Sequence, residues 1–141
     1  MKKIQRVIMV DDDPYSHMIC KHIMRRVAGE VELIEFTIPE KGIEFIESTY
    51  NKAADDYPTT VLLLDINMPA MSGWDFLERF ESTESDIKKH LTIYLLSSSI
   101  DQHDKERAEA NKHVKDFLTK PFRKEMVEVI LRILSDAKMD F

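Results

Sequence analysis

Apolar residues along this chain fall into two alternating rhythms. Ile4 to Val10 and Val61 to Leu64 are short, mostly apolar runs rich in β-branched residues or Leu, and Leu91 to Leu96 is another, broken only by Thr92. Runs of this length without regular polar alternation predict strands covered on both faces, as in a parallel sheet. Val31 to Phe36 and Val114 to Leu118 carry the same signal more faintly.

Between these runs the period lengthens to that of a helix. Pro14 suits the first helical position after Asp13 as N-cap, and Tyr15, Met18, Ile19, Ile23 and Val27 are expected on one inward face. Pro39 opens a second helix carrying Ile43, Ile46 and Tyr50. A third follows Gly73, with Trp74, Leu77 and Phe80 inward. A fourth, about Asp101 to Asn111, is mostly charged and buries little beyond Ala108. The fifth, about Arg123 to Ala137, has an apolar stripe of Met126, Val127, Ile130, Leu131, Ile133 and Leu134. Met18, Met24 and Met126 sit at core spacing. Strand and helix thus alternate five times, which predicts an α/β fold: a doubly wound (βα)5 unit with a five-stranded parallel sheet and right-handed crossovers. At 141 residues, one domain over residues 1–141 is expected, with Asn51 to Thr60 as a polar surface loop. Only three glycines occur, so there is no Gly-rich phosphate loop or dinucleotide fingerprint.

Twenty basic against 26 acidic residues leave a net charge of −6, which argues against nucleic acid as a partner. No apolar run approaches the ~20 residues of a membrane helix, and Met1-Lys2-Lys3 enters a strand at once without signal-peptide architecture. Lone Cys20 reads as a small buried residue on a helix, and a cytoplasmic setting is expected. His17, His22, His90, His103 and His113 are scattered, and surface positions without a metal site are expected. Trp74 reads as a partly buried packing residue.

Three strand ends carry the chemistry: Asp11-Asp12-Asp13-Pro14, Asp65-Ile66-Asn67-Met68-Pro69, and Thr119-Lys120-Pro121. In a doubly wound sheet of order 2-1-3-4-5, ligands sit at the switch point between strands 1 and 3. That order would bring Asp11, Asp12 and Asp65 together. Carboxylate oxygens suit a hard cation such as Mg²⁺, which keeps several waters, and the Lys120 ammonium suits a phosphoryl group.

The set Asp11-Asp12, Asp65 with Met68-Pro69 and Gly73, a serine after Leu96, and Lys120-Pro121 resembles the receiver domain of two-component response regulators, from Lys3 to Leu134. The resemblance implies a flavodoxin-like sheet of order 2-1-3-4-5. It implies Asp65 as phosphoacceptor from a sensor histidine kinase or a histidine phosphotransfer protein. Mg²⁺ would be held by Asp12 directly, Asp11 mostly through water, Asp65, and the backbone carbonyl of Asn67. Lys120 would pair with Asp65 and then with the phosphoryl oxygens, and the Lys120-Pro121 bond would be cis. The Ser/Thr position of the family falls on Ser97 when the strand core is aligned. It falls on Ser98 when counted back from Lys120, unless the Asn111 to Val114 turn holds an extra residue. Phe117 matches the aromatic that responds to phosphorylation, giving a switch of Ser97 and Phe117 that signals through helix 4, strand 5 and helix 5. The implied protein is a stand-alone receiver with no output domain, acting on a downstream protein and not as an ordinary enzyme. Two rival readings are a haloacid-dehalogenase-like Mg-dependent phosphatase, prompted by Asp11-x-Asp13, and a pseudo-receiver that only binds. The first lacks a late acidic pair for Mg²⁺, and the second would have lost Asp65 or Lys120.

Overall fold

The structure is a computed structural model describing residues 4–50, 58–83, 91–99 and 101–139, with 132–139 as backbone. Its elements are β1 (Arg6–Val10), α1 (Pro14–Ala28), β2 (Glu32–Phe36), α2 (Pro39–Thr49), β3 (Thr60–Asp65), α3 (Gly73–Glu81), β4 (Leu91–Ser97), α4 (Gln102–Ala110), β5 (Val114–Thr119) and α5 (Lys124–Met139). The strands form one parallel sheet in the order β2-β1-β3-β4-β5, as expected.

Side chains alternate across a strand, so the three central strands serve two cores. Ile8, Val10, Leu62, Leu64, Ile93 and Leu95 face α2, α3 and Ala108 of α4. Val7, Met9, Val61, Leu63, Tyr94 and Leu96 face α1 and α5. Edge strands β2 and β5 are mostly partly buried or exposed, with Leu118 of β5 buried, which explains their faint apolar signal.

Helix α1 starts where expected, with the Asp13 carboxylate accepting the Tyr15 N–H at 3.0 Å. Its inward face, however, is turned away from the predicted one. Tyr15 and Met18 are exposed, at 63% and 58%, while His17, Cys20 and Met24 point inward. Ile19, Ile23 and Val27 keep only the flank of that face. His17 is therefore not a surface histidine: its Nε2–H donates to the Asp11 carbonyl at 2.6 Å, which satisfies one ring nitrogen, while Nδ1 is buried without a partner. His22 and His103 are exposed, His113 is partly buried and paired with Glu81, and His90 lies outside the described residues.

The other helices follow their patterns. Ile43, Ile46 and Tyr50 are buried, as are Leu77 and Phe80, joined by Phe76, while Trp74 packs at the edge of the core. Met126, Val127 and Ile130 are buried and Leu131 packs beside them; the side chains of Ile133 and Leu134 lie outside the described residues. Of the expected Asn51 to Thr60 loop, residues 51–57 lie outside the described residues. Thr60 instead begins β3, buried with its hydroxyl 2.9 Å from that of Tyr50.

Candidate functional site

At the carboxyl ends of β1 and β3, Asp11, Asp12 and Asp65 each offer a carboxylate oxygen, all within 4.8 Å of one another. The parallel register creates this: Val10 lies beside Leu64, so the next residues of both strands emerge together. Asp11 and Asp65 are buried and Asp12 is exposed. From β5, the Lys120 ammonium reaches into the pocket, 2.6 Å from Asp11 Oδ2 and 3.5 Å from Asp65 Oδ2. The Lys120-Pro121 peptide is cis, as the resemblance implied.

Each acid is held by the turn that follows it. Asp11 Oδ1 accepts the Asp13 N–H at 2.9 Å, and the Asp11 carbonyl is bound by His17. Asp65 Oδ1 accepts the Asn67 N–H at 3.2 Å. The loop beyond Asn67 folds back closely enough that the Gly73 N–H reaches the Ile66 carbonyl at 3.0 Å. A Cβ on Gly73 would stand 2.7 Å from the Asp65 carbonyl oxygen, so any side chain there would displace the end of β3.

Burial and then the Asp11 charge push the Asp65 carboxyl up to about 6, against the opposing Asn67 N–H and Lys120 ammonium. Burial disfavours the Lys120 charge, but its contacts with Asp11 and Asp65 outweigh that and raise its pKa. Among the described residues the pocket is short of positive charge: one ammonium pairs with Asp11 and Asp65, and Asp12 adds a third acid beside them. Such a donor set fits a hard divalent cation, because all ligands are oxygens and the exposed Asp12 side leaves room for the waters that Mg²⁺ retains.

Ser97 ends β4 fully buried, and Ser98 is exposed. Ser97 Oγ accepts from Asn67 Nδ2 at 2.9 Å and from the Ser99 N–H at 3.1 Å, and donates to the Ser99 carbonyl at 2.7 Å. The ambiguity between the two serines has a structural cause. Ile93 lies opposite Val114, but Tyr94 lies opposite Asp116, so Lys115 is an extra residue in β5. This bulge, inside the strand and not in the turn before it, shifts any count back from Lys120 by one. Past it, Ser97 lies opposite Thr119 and its carbonyl accepts the Lys120 N–H at 2.8 Å. Phe117 lies opposite Leu95, partly buried against the core shared with α3 and α4. Two residues that support the site, His17 and Ser99, carry no motif of their own: His17 bonds the carbonyl of nearby Asp11 and Ser99 bonds the hydroxyl of nearby Ser97, through turn geometry that residue type does not announce.

Comparison with known proteins agrees with this geometry. A family model described as the response regulator receiver domain matches residues 7–132. The crystal structure of a two component response regulator from Cytophaga hutchinsonii is 27% identical, with a TM-score of 0.85, covering 96% of this chain and 99% of that one. A response regulator receiver protein from Dyadobacter fermentans is 25% identical with a TM-score of 0.79, covering 91% and 95%. Among curated proteins, the sensory transduction protein LytT of Bacillus subtilis is 27% identical over 90% of this chain, and the 3',5'-cyclic-nucleotide phosphodiesterase regA of Dictyostelium discoideum 26% over 87%. The chain spans 46% of the length of the first and 14% of the second. With its acid triad and lysine gathered at the switch point of this sheet and its match running through nearly all of it, the chain belongs to the response regulator receiver domain family.

Proposed function

We propose that this chain is a phosphorylation-operated switch in which Asp65 accepts a phosphoryl group from a phosphohistidine on a sensor histidine kinase or phosphotransfer protein. The observation that carries this is the different hold on the two buried acids. Asp11 has one oxygen on a backbone N–H and the other 2.6 Å from the ammonium, whereas Asp65 Oδ2 meets only the more distant ammonium at 3.5 Å. Asp65 therefore keeps the more available lone pair. In transfer, an Asp65 carboxylate oxygen bonds to phosphorus as the P–N bond breaks, the electron pair leaving with the imidazole. An acyl phosphate forms, and no general base is needed because the nucleophile is already an anion. Lys120 turns its charge toward the incoming phosphoryl oxygens, and catalysis is positioning and charge neutralisation.

Asp11, Asp12, Asp65 and the Asn67 carbonyl would hold Mg²⁺, which when bound supplies positive charge to the phosphoryl oxygens. Ser97 and Phe117 would carry the change to the surface of α4, β5 and α5, where a downstream protein binds; the setting is cytoplasmic. Among the described residues no helix is long and apolar enough to cross a membrane. The test is incubation with acetyl phosphate and Mg²⁺. The wild type should take up one phosphoryl group in an acyl linkage, and Asp65→Asn should stay unlabelled. Undiminished aspartyl labelling of Asp65→Asn would overturn the assignment. Steady turnover of varied phosphate esters would favour a phosphatase.

A further inference from the structure

The Ser97 hydroxyl has one proton and two lone pairs, and all three are committed within the buried cluster. The proton goes to the Ser99 carbonyl, and the lone pairs take the Ser99 N–H and the Asn67 carboxamide N–H. Ser97 is fully buried, so no water competes for it. To donate to an oxygen on a phosphorylated Asp65, the hydroxyl must give up the Ser99 carbonyl, to which its one proton now goes. Asn67 is exposed, so its amide regains water once released, whereas while bound it helps hold Ser97 in place.

We propose that the Asn67 side chain is a positioning residue: a latch that holds Ser97 turned toward Ser99 and sets how readily Ser97 responds to a phosphoryl group. The role is separate from any use of the Asn67 backbone. The main-chain N–H binds Asp65 Oδ1 and the carbonyl is the proposed cation ligand, and neither is altered by shortening the side chain. Asn67 thereby joins the phosphoacceptor and the switch residue through one short loop, its backbone on the first and its amide on the second.

This inference rests on the proposed phosphoacceptor reading, and its sign separates it from a contact that simply stabilises the phosphorylated form. Removing the carboxamide costs the unphosphorylated state a hydrogen bond that the phosphorylated state has already lost. Asn67→Ala should therefore bind a phosphoryl mimic more tightly, not more weakly. The experiment is calorimetric titration of beryllium in excess fluoride and saturating Mg²⁺, on wild type, Asn67→Ala, Ser97→Ala and the double variant. A single net hydrogen bond predicts about two- to ten-fold tighter binding in Asn67→Ala. In the Ser97→Ala background the same change should have almost no effect, an outcome that a general loosening of the loop would not produce. Unchanged or weaker binding in Asn67→Ala, or an equal gain in both backgrounds, overturns the latch and leaves the phosphoacceptor reading standing. No beryllofluoride binding by the wild type overturns both.

Discussion

Helices α3 and α4 are each nine residues long, and both are capped well. Ser72 and Asp75 form a reciprocal capping box on α3, and Asp101 accepts the Asp104 N–H at 2.7 Å on α4. Local signals of this kind contribute about 1 kcal/mol at each helix. What differs is the face turned to the sheet. Phe76, Leu77 and Phe80 of α3 are buried, each stabilising by roughly 1.5–3 kcal/mol, whereas α4 buries only Ala108. Forming a helix and anchoring it are thus separate matters. The loop from Asp65 runs into the helix with three large buried side chains, and the helix beyond Ser97 is held to the core by one alanine.

The largest expected effects test that contrast directly. Phe80→Ala should cost about 3–5 kcal/mol in urea unfolding, through lost burial and the cavity left behind. Ala108→Gly should cost about 1 kcal/mol, mostly from helix propensity. Comparable losses from the two would mean that α4 belongs to the core as fully as α3, and the distinction would fail.

A second test asks whether the anchored side owes its firmness to the acid pocket or holds in spite of it. The Asp65 carboxyl titrates at about 6 in the fold, above the ordinary unfolded value near 3.9. The unfolded chain releases its proton first, so ionising Asp65 costs the folded state stability. That cost is absent below about pH 4, grows between pH 4 and 6, and is fully present above. Metal-free Asp65→Asn should therefore be more stable than wild type by about 3 kcal/mol at pH 7. The gap should close as the pH falls through 6 to 4. Lys120 already pairs with Asp11 at 2.6 Å, so the substitution removes only the longer of its two partners. A gap that is constant with pH would assign the gain to something other than the charge.

Sequence periodicity anticipated the α3–α4 contrast, because Leu77 and Phe80 stand at helical spacing and residues 102–110 are nearly all polar. The strand order and the place of Lys120 came from the receiver resemblance; given that order, the apolar runs that end before Asp11 and at Leu64 were enough to bring Asp11, Asp12 and Asp65 together. Periodicity failed where the deciding partner comes from another element. On α1, Tyr15 and Met18 add apolar weight to a face that points to solvent. His17, polar by type, turns inward because the Asp11 carbonyl, just past the end of β1, accepts its N–H. The Lys115 bulge likewise has no turn residue to announce it. It exists only in the register between two strands, and so Ser97 and Ser98 could not be separated by counting.

The smallest effect concerns the contact joining the two helices. Arg107 of α4 lies over the Trp74 ring of α3, 4.5 Å from its centre. At an exposed site such a pair contributes about 0.5–1 kcal/mol. That is minor for the whole fold but considerable for a helix with one buried alanine. Arg107→Ala should therefore leave global stability within about 1 kcal/mol of wild type while loosening α4 locally. Amide exchange across residues 102–110 should quicken about two- to five-fold, with the Phe76 to Phe80 amides unchanged. Arg107→Lys keeps the charge but loses the planar stacking surface, and should fall between the two. Trp74 is the one tryptophan in the sequence, so its fluorescence gives an independent reading of the same contact. Faster exchange in both helices would mean that α3 leans on α4 as much as the reverse. No change in either would mean that the Arg107–Trp74 contact does not hold α4, and that its anchorage comes from its packing on the sheet.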